Sequence, residues 1–595
     1  MDGHLFIAQG DITQLAAHAI ACSTSTGLAG KGSMFSSFRD NIPGFTEWFQ
    51  GLGPGRAGRT HVGETFWMPL RPDARPHGVV AVVAAGRPAS AEDKAATAAR
   101  VAIDEAVARL RRDLKLEGRL LIALPAFRSG KGGDRDHQVR SARVQIAGAR
   151  TALARHAGVD AAFIAYTPSL YRVFLEARRD LLGESSPAPS IPADLERALI
   201  GGECVLFAGA GLSRGAGLPD WDALIARMAR ELGLEAHEKL DHLDLAQWYR
   251  EKFGRAGLAR LIGEVFADPA FSPRPTLAHY LAMSLPANFV ITTNYDDLLE
   301  RTLSALKRYP VAVVAQEDIA GTGRADGVHV IKLHGDAACP DGVVLCRDDY
   351  DEFFERRPAM ALLLEGLMLN RTFLFLGYGL RDPNFRQIFG RVGRMLRKAK
   401  RPAFATSFES AGDAGPFVAE QWRRRGLELI GLPGATDEER ERMLLIWLDR
   451  LADRVASATA RLPLAPDAQV TCHLVRLRTL LLEVGEEVGG LCMRAATGTL
   501  GDAEIGPVAD ILELLSNHSW RPTGPSGSTL SGLWEGLASA ADDLTMRRRR
   551  LVAALRFAEG SDEASRVRES LARLEVPGSG PPTEDLATEA DPPGY

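Results

Sequence analysis

Two side chains, Asn294 and His334, stand where apolar runs give way to polar turns, and both are of types that do chemistry. Asn294 lies in Ile-Thr-Thr-Asn-Tyr-Asp-Asp, residues 291–297, so two hydroxyls, an amide and two carboxylates directly follow a strand-like segment. A carboxamide donates and accepts hydrogen bonds, so it can hold a ribose hydroxyl or an attacking water. The alternative makes Asn294 or Asp296 a helix N-cap. His334 closes Val-Ile-Lys-Leu-His, residues 330–334, and is the one side chain of this motif set whose ordinary pKa is near neutrality. That suits a general base, with a hydrogen-bonded structural histidine as the alternative.

Glycine-rich turns accompany these two residues. Residues 205–221 run from an apolar segment into Gly209-Ala210-Gly211-Leu212-Ser213, then Asp220 and a helical stretch from Trp221 to Gly233. Gly209 and Gly211 would let backbone approach a pyrophosphate and offer it free N–H groups. Residues 373–384 form a second strand-to-glycine turn, suited to the far half of a dinucleotide. Nearer the N-terminus, residues 5–13 end in Gly-Asp-Ile-Thr, and residues 23–33 and 121–133 are glycine-rich, the latter adding Arg128 and Lys131. Two phosphate-type loops at strand ends make an anion pocket the expectation there.

The elements that must position these residues fall into three blocks. Residues 1–183 alternate short apolar runs (79–85, 120–124, 161–165) with helical stretches such as 91–112, the rhythm of an α/β domain with a mainly parallel sheet. Residues 184–192 hold three prolines and read as a linker. Residues 193–455 repeat the α/β rhythm, with strands expected at 204–208, 289–292, 328–333 and 372–376. These nearly continuous apolar runs suit strands covered on both faces, and open α/β sheets bind ligands beyond the carboxyl ends of their strands. Residues 456–575 turn helical, with an apolar stripe through Leu474, Leu477, Leu481, Val484 and Val488, and 576–595 read as a disordered tail.

Composition excludes several classes. Charged residues are 25% and hydrophobic residues 46%, with net charge −5 and pI near 6.3, so no basic field argues for nucleic acid. The four arginines at 547–550 read as a solvated helix face. No apolar stretch approaches the roughly 20 residues of a membrane helix. Met1-Asp2-Gly3-His4 shows no basic region followed by an apolar segment, so no signal peptide is expected, and six cysteines without a C-x2-C pair fit a reducing cytoplasm.

At the four motifs of the central block, with Arg347-Asp-Asp-Tyr-Asp-Glu-Phe353 as a fifth, the sequence resembles the sirtuin superfamily, in its bacterial NAD-hydrolase branch. The resemblance implies a Rossmann-like sirtuin domain with a parallel sheet, NAD as substrate, and nicotinamide released from the ribose. Carried over by position, Asn294 positions water or the ribose and His334 is the base. Gly209, Ala210, Gly211 and Ser213 hold the pyrophosphate, and Gly377 and Asp382 lie near the adenosine half. Asp220, Thr293 and Asp296 complete the cofactor-binding set. Deacetylating sirtuins carry glutamine where Thr293 stands, and four zinc cysteines after the histidine. Here only Cys339 and Cys346 follow within the block, and tetrahedral zinc needs four ligands, so no zinc is expected.

The first block resembles a macro domain, a three-layer α/β fold that binds ADP-ribose. That implies Asp11 and Ile12 at the adenine, and Gly27, Gly30, Gly32, Ser129, Gly130 and Gly132 around the diphosphate and distal ribose. Ser23-Thr24-Ser25 replaces the asparagines of the hydrolytic macro domains, which favours sensing over de-ADP-ribosylation. The whole then reads as a macro-like domain, a sirtuin-like domain and an α-helical C-terminal domain. The function expected is a cytoplasmic NAD hydrolase of anti-phage defence, gated by an ADP-ribose-type nucleotide. A homo-oligomer and a protein trigger acting through the C-terminal helices complete the expectation. A protein ADP-ribosyltransferase, an NAD-dependent deacylase and a non-catalytic NAD or ADP-ribose binding module are the alternatives.

Overall fold

Short runs rich in Val, Ile, Phe and Ala, the central ones buried along their whole length, build two sheets, seen in a computed structural model of the chain. The structure describes residues 3–25, 28, 33–52, 59–71, 75–85, 91–127, 135–183, 188–234, 240–266, 273–323, 327–380, 383–396, 401–408 and 415–461.

The first sheet holds β1 (Leu5–Gln9), β2 (Ala19–Ser25), β3 (Thr65–Pro69), β4 (Gly78–Ala85), β5 (Leu120–Pro125) and β6 (Val159–Ala165). Their order is β1-β6-β5-β2-β4-β3, parallel except for β3 against β4. β3 alternates buried Phe66 and Met68 with less buried neighbours and ends in Pro69, as an edge strand can. Helices Ala91–Arg112, Arg135–Leu153 and Pro168–Leu182 pack Ala98, Ala102, Ile146 and Phe174 on one face.

The second sheet holds β7 (Cys204–Ala208), β8 (Phe289–Thr292), β9 (Pro310–Val313), β10 (Val328–Lys332), β11 (Thr372–Leu376), β12 (Ala403–Ser407) and β13 (Leu427–Gly431). All pairings are parallel, in the order β13-β12-β11-β7-β8-β10-β9. The four strands expected from sequence are all present, the third ending at Lys332, and β9, β12 and β13 are additional. The chain enters at β7, builds outward through β8 to β10, then returns to β7's other side with β11. The loops after β7 and β11 therefore diverge at the switch point where such sheets bind ligands.

One hydrophobic core runs from the first sheet to the second. Phe6, Ala8 and Ile20 of the first share it with Leu206, Val290 and Leu374 of the second. Two helices stand between the sheets, Leu277–Met283, all of whose residues are buried, and Asp437–Arg461, which contributes Trp447, Leu448 and Leu451. Ala188 and Ile191, in the stretch read as a linker, are also buried in it. Ion pairs fasten the long helix to helix Pro168–Leu182 and to β6 of the first sheet. Arg178 Nη1 lies 2.5 Å from Asp449 Oδ2, and Arg442 Nε lies 2.8 Å from Asp160 Oδ2, with all four side chains buried.

The described residues, 3–461, all belong to one compact unit. The C-terminal helical stripe, the four arginines at 547–550 and the tail expected from sequence lie outside the described residues. Among the described residues no helix is long and apolar enough to cross a membrane.

Candidate active site

Sheet register brings the key residues together. Leu376, Ala208, Thr292 and Lys332 stand side by side across β11, β7, β8 and β10. One residue beyond that row come Gly377, Gly209, Thr293 and Leu333, and two beyond it, on neighbouring strands, come Asn294 and His334. Residues far apart in sequence thus share one sheet edge.

The two glycine turns interlock there. The Gly209 N–H donates to Leu376 O at 2.9 Å, and the Gly211 N–H to Gly377 O at 3.0 Å. A Cβ on Gly209 would sit 2.5 Å from Gly377 O, and one on Gly377, whose φ is +60°, would sit 2.5 Å from Leu212 N. Only glycines allow this backbone-to-backbone contact. The Ser213 N–H is likewise taken, by Ala210 O at 3.0 Å. The amides of Gly209, Gly211 and Ser213 thus hold the turns to each other and to themselves. Ala210 opens the short 3-10 turn Ala210–Leu212. Asp220 is the N-cap of helix Trp221–Leu232, its carboxylate accepting from Ala223 N at 2.9 Å.

Asn294 is buried and aimed. Its Nδ2 donates to Gly209 O at 3.3 Å and to Ser213 Oγ at 3.2 Å, and its own N–H donates to Thr292 Oγ1 at 2.9 Å. Thr292 Oγ1 in turn donates to Ala208 O of the adjacent strand at 2.8 Å. The Asn294 Oδ1 is buried with no hydrogen-bond partner in the protein. An orphaned buried acceptor calls for an occupant, and a ligand hydroxyl or water supplies one. Thr293 beside it is half-buried.

Ser213 joins Asn294 to His279, a residue sequence reasoning missed. His279 lies on helix Leu277–Met283, wholly buried, and burial pulls its pKa down to about 3, so it is neutral. Its Nδ1 accepts from Thr276 N at 3.2 Å, which leaves the proton on Nε2, 3.4 Å from Ser213 Oγ. The Thr-x-x-His spacing at 276–279 forms a capping box, and that spacing was the legible signal. Asp296 is buried too, its Oδ1 accepting from Leu298 N at 3.1 Å in the turn before helix Leu298–Ala305, whose N-cap position is taken by Asp297 and by neither Asn294 nor Asp296. Burial pushes the Asp296 carboxyl up, against the opposing pull of the Lys332 ammonium, the Leu298 amide and the Ser213 hydroxyl.

His334 is buried at 5% exposure, with Tyr350 packed edge-on at 5.2 Å and its hydroxyl 3.5 Å from His334 Nδ1. Tyr350 comes from Arg347-Asp-Asp-Tyr-Asp-Glu-Phe353. Asp349 of that motif caps the helix Arg347–Asp351 by accepting from Leu345 N at 3.1 Å and Cys346 N at 3.2 Å. Val344 ties both motifs, donating its N–H to His334 O at 2.9 Å and accepting from the Tyr295 hydroxyl at 2.8 Å. Among the described residues no group of three or more His, Cys, Asp or Glu side chains could hold a metal ion.

In the first sheet, Asp11 and Ile12 are described, whereas Gly27, Gly30, Gly32, Ser129, Gly130 and Gly132 lie outside the described residues, as does Asp382 of the second glycine turn. The Asp11 carboxylate accepts from Thr13 N at 2.9 Å and Thr13 Oγ1 at 2.7 Å, and also from Ser37 Oγ. Residues 10–16 dock against residues 274–280 of the other half. Tyr280 donates its hydroxyl to Asp11 O at 2.7 Å, Arg274 donates to Thr13 O, and Ala16 N donates to Pro275 O at 2.8 Å. Gly10 has φ +138°, and a Cβ there would lie 2.5 Å from the Tyr280 ring.

Comparison with known proteins bears on the second sheet, because residues 288–430, from the start of β8 to the end of β13, match the family described as SIR2-like domain. This stretch is a SIR2-like domain. The sheet adds β7 to it, at the centre and outside the matched residues. The chain is 33% identical over 196 residues to the NAD(+) hydrolase ThsA of Cytobacillus dafuensis, covering 33% of this chain and 39% of that protein. It is 26% identical over 247 residues to Defense-associated sirtuin 2 of Bacillus subtilis, covering 40% of this chain and 24% of that protein. The chain therefore spans about two-fifths or less of the length of these curated relatives. Among solved structures, it is similar to the Oceanobacillus iheyensis macrodomain with ADP, at 18% identity and a TM-score of 0.26, covering 31% of this chain and 94% of that one.

Proposed function

We propose that the SIR2-like domain, completed by β7 and its glycine turn, hydrolyses NAD to nicotinamide and ADP-ribose. The observation that carries this is the placement of Asn294 and His334 at equal depth beyond one strand row, with the Asn294 Oδ1 buried and unpartnered. Relatives named NAD(+) hydrolase support the choice of reaction.

In this reading the bond between ribose C1′ and the nicotinamide nitrogen breaks. Its electron pair leaves with nicotinamide, which departs neutral. A water adds through oxygen to C1′ and loses one proton, giving ADP-ribose. Asn294 is already fixed through Nδ2, so its Oδ1 can accept from that water or from a ribose hydroxyl. His334 takes the proton, with its ring seated by Tyr350. A buried site lets these dipoles act undiluted by bulk water.

Residues 1–183 form the regulatory half of the same proposal, binding an ADP-ribose-type nucleotide near Asp11 and gating residues 193–455. Support comes from the docking of residues 10–16 on helix Leu277–Met283, because Tyr280 of that helix holds Asp11 and its neighbour His279 reaches Ser213 beside Asn294. Coupling requires the nucleotide to favour the active arrangement by its binding energy. An effector that depletes NAD in the cytoplasm during phage attack is the role this regulation suits. A homo-oligomer and a protein trigger acting on residues 456–575 belong to the same reading.

The test is nicotinamide release from NAD by wild type, Asn294→Ala and His334→Ala, with and without ADP-ribose. Each substitution is expected to lower the rate by about 100-fold or more. Wild-type release undiminished in both variants would refute the assignment of the pair. Binding of NAD without release under any condition would point to a binding module instead.

A further inference from the structure

Lys332 is the last residue of β10, two positions before His334, and its side chain is completely buried. Its Nζ donates to Asp296 O at 2.6 Å and to Asp336 Oδ2 at 2.6 Å. Tyr295 O at 3.4 Å and Glu300 Oε1 at 3.3 Å share its remaining proton. These partners come from two different turns. Tyr295 and Asp296 directly follow Asn294, and Asp336 lies two residues after His334. A single desolvated ammonium therefore knots together the turns that carry the two residues assigned to catalysis. A lysine buried at this depth is costly unless every proton is bonded, and here all three have acceptors.

We propose that Lys332 is a positioning residue, its ammonium tying the turn after Asn294 to the turn after His334 and so setting the spacing of that pair. The proposal rests on the NAD-hydrolase reading for its effect on rate, and on geometry alone for the tie.

Three alternatives are weaker. An ordinary buried core lysine would need one partner, whereas this one spans two turns. A purely electrostatic role for Asp296 would not require bonds to the backbone carbonyls of 295 and 296. A contribution to folding alone predicts lost stability with no change in the pH profile of the surviving activity.

The electrostatics give a sign to that profile. The groups facing Lys332 and Asp296 are Glu300, Asp336, Asp297 and the Ser213 hydroxyl. Burial raises both Asp296 and Glu300, and Lys332 is the main opposing influence on each. Removing the ammonium therefore moves their protonation toward neutral pH, and the acid limb of activity moves up. Asp336→Asn instead takes one charged acceptor from the ammonium. The asparagine keeps an oxygen for Ala338 N, which Asp336 Oδ1 now accepts at 2.7 Å.

The experiment uses the full chain, with Lys332→Met and Asp336→Asn beside wild type and His334→Ala. Hydrogen–deuterium exchange reads the tie directly. In Lys332→Met, peptides covering 293–299 and 334–339 are expected to exchange about tenfold faster together, while β7 and β11 keep wild-type protection. In the same variant kcat for nicotinamide release falls by about 100-fold, as a displacement near 1 Å produces, with KM for NAD changed less than about threefold. If Lys332→Met does not fold, Asp336→Asn carries the test, with faster exchange at 334–339. Unchanged exchange in either turn of Lys332→Met, or at 334–339 in Asp336→Asn, overturns the proposal whatever the activity, as does a lowered rate of Lys332→Met with an unshifted pH profile. If wild type releases no nicotinamide, the NAD-hydrolase reading fails, and the exchange result still decides the tie.

Discussion

His279 should make the fold acid-sensitive in a way that one substitution removes. Its imidazole is wholly buried and held at about 3, against an ordinary 6.5, because burial disfavours the charged form. As pH falls below about 6.5 the unfolded chain takes up a proton that the folded chain refuses until about 3. Across that window the unfolded state binds one more proton, so unfolding free energy falls with pH by about 1.4 kcal/mol per pH unit. From about pH 7.5 down to about pH 5 this amounts to about 2 kcal/mol. His279→Gln keeps an N–H for Ser213 Oγ but cannot titrate. Urea unfolding of both proteins at pH steps across this range is the assay. The wild-type advantage over the variant should shrink by about 2 kcal/mol on acidification. His18, also lowered to about 3 by burial, is present in both proteins and cancels from the difference. Stability curves that stay parallel would refute a neutral, buried His279 and with it the Nε2 proton assigned to Ser213.

Three further outcomes are expected. Gly209→Ala places a Cβ 2.5 Å from Gly377 O, so the two glycine turns must separate. Stability should fall by about 1–3 kcal/mol and nicotinamide release by about 100-fold, and wild-type values for both would show that the turns do not interlock. Asp449→Asn takes from the buried Arg178 the nearer of its two carboxylate partners, leaving Asp453, and should cost about 3 kcal/mol in denaturant unfolding. A loss below about 1 kcal/mol would mean the pair is not desolvated. Tyr280→Phe removes the hydroxyl bonded to Asp11 O and should narrow the ratio of rates with and without ADP-ribose by about fivefold, basal rate retained. An unchanged ratio excludes that contact from the coupling.

Much of the second sheet was legible because its strands are buried on both faces. A run such as Val205–Leu206–Phe207 admits no surface position, so apolar continuity alone marks it, and glycine marks where it stops. β9, β12 and β13 lie toward the sheet's edges and were not apparent. β9 has only Val313 fully buried, and β13 exposes Glu428, so neither shows an unbroken apolar run. The motif residues Asn294 and His334 were visible as polar groups at strand ends. Their side-by-side placement was not, since it depends on the register of β8 with β10 and not on their separation along the chain.

What sequence determined by itself is local: strand runs, the helix Ala91–Arg112, and the residue types able to act on a ribose. Those features follow from periodicity and from side-chain chemistry within a few residues. Tertiary structure alone decided which of them meet. It spent the glycines of the two turns on each other, brought His279 under Ser213, seated Tyr350 on His334, and set Lys332 between two turns. It also joined the halves through Tyr280 and the long helix Asp437–Arg461. Each of these is a contact between segments distant along the chain, and such contacts are chosen by the packing of one shared core, which no local pattern encodes.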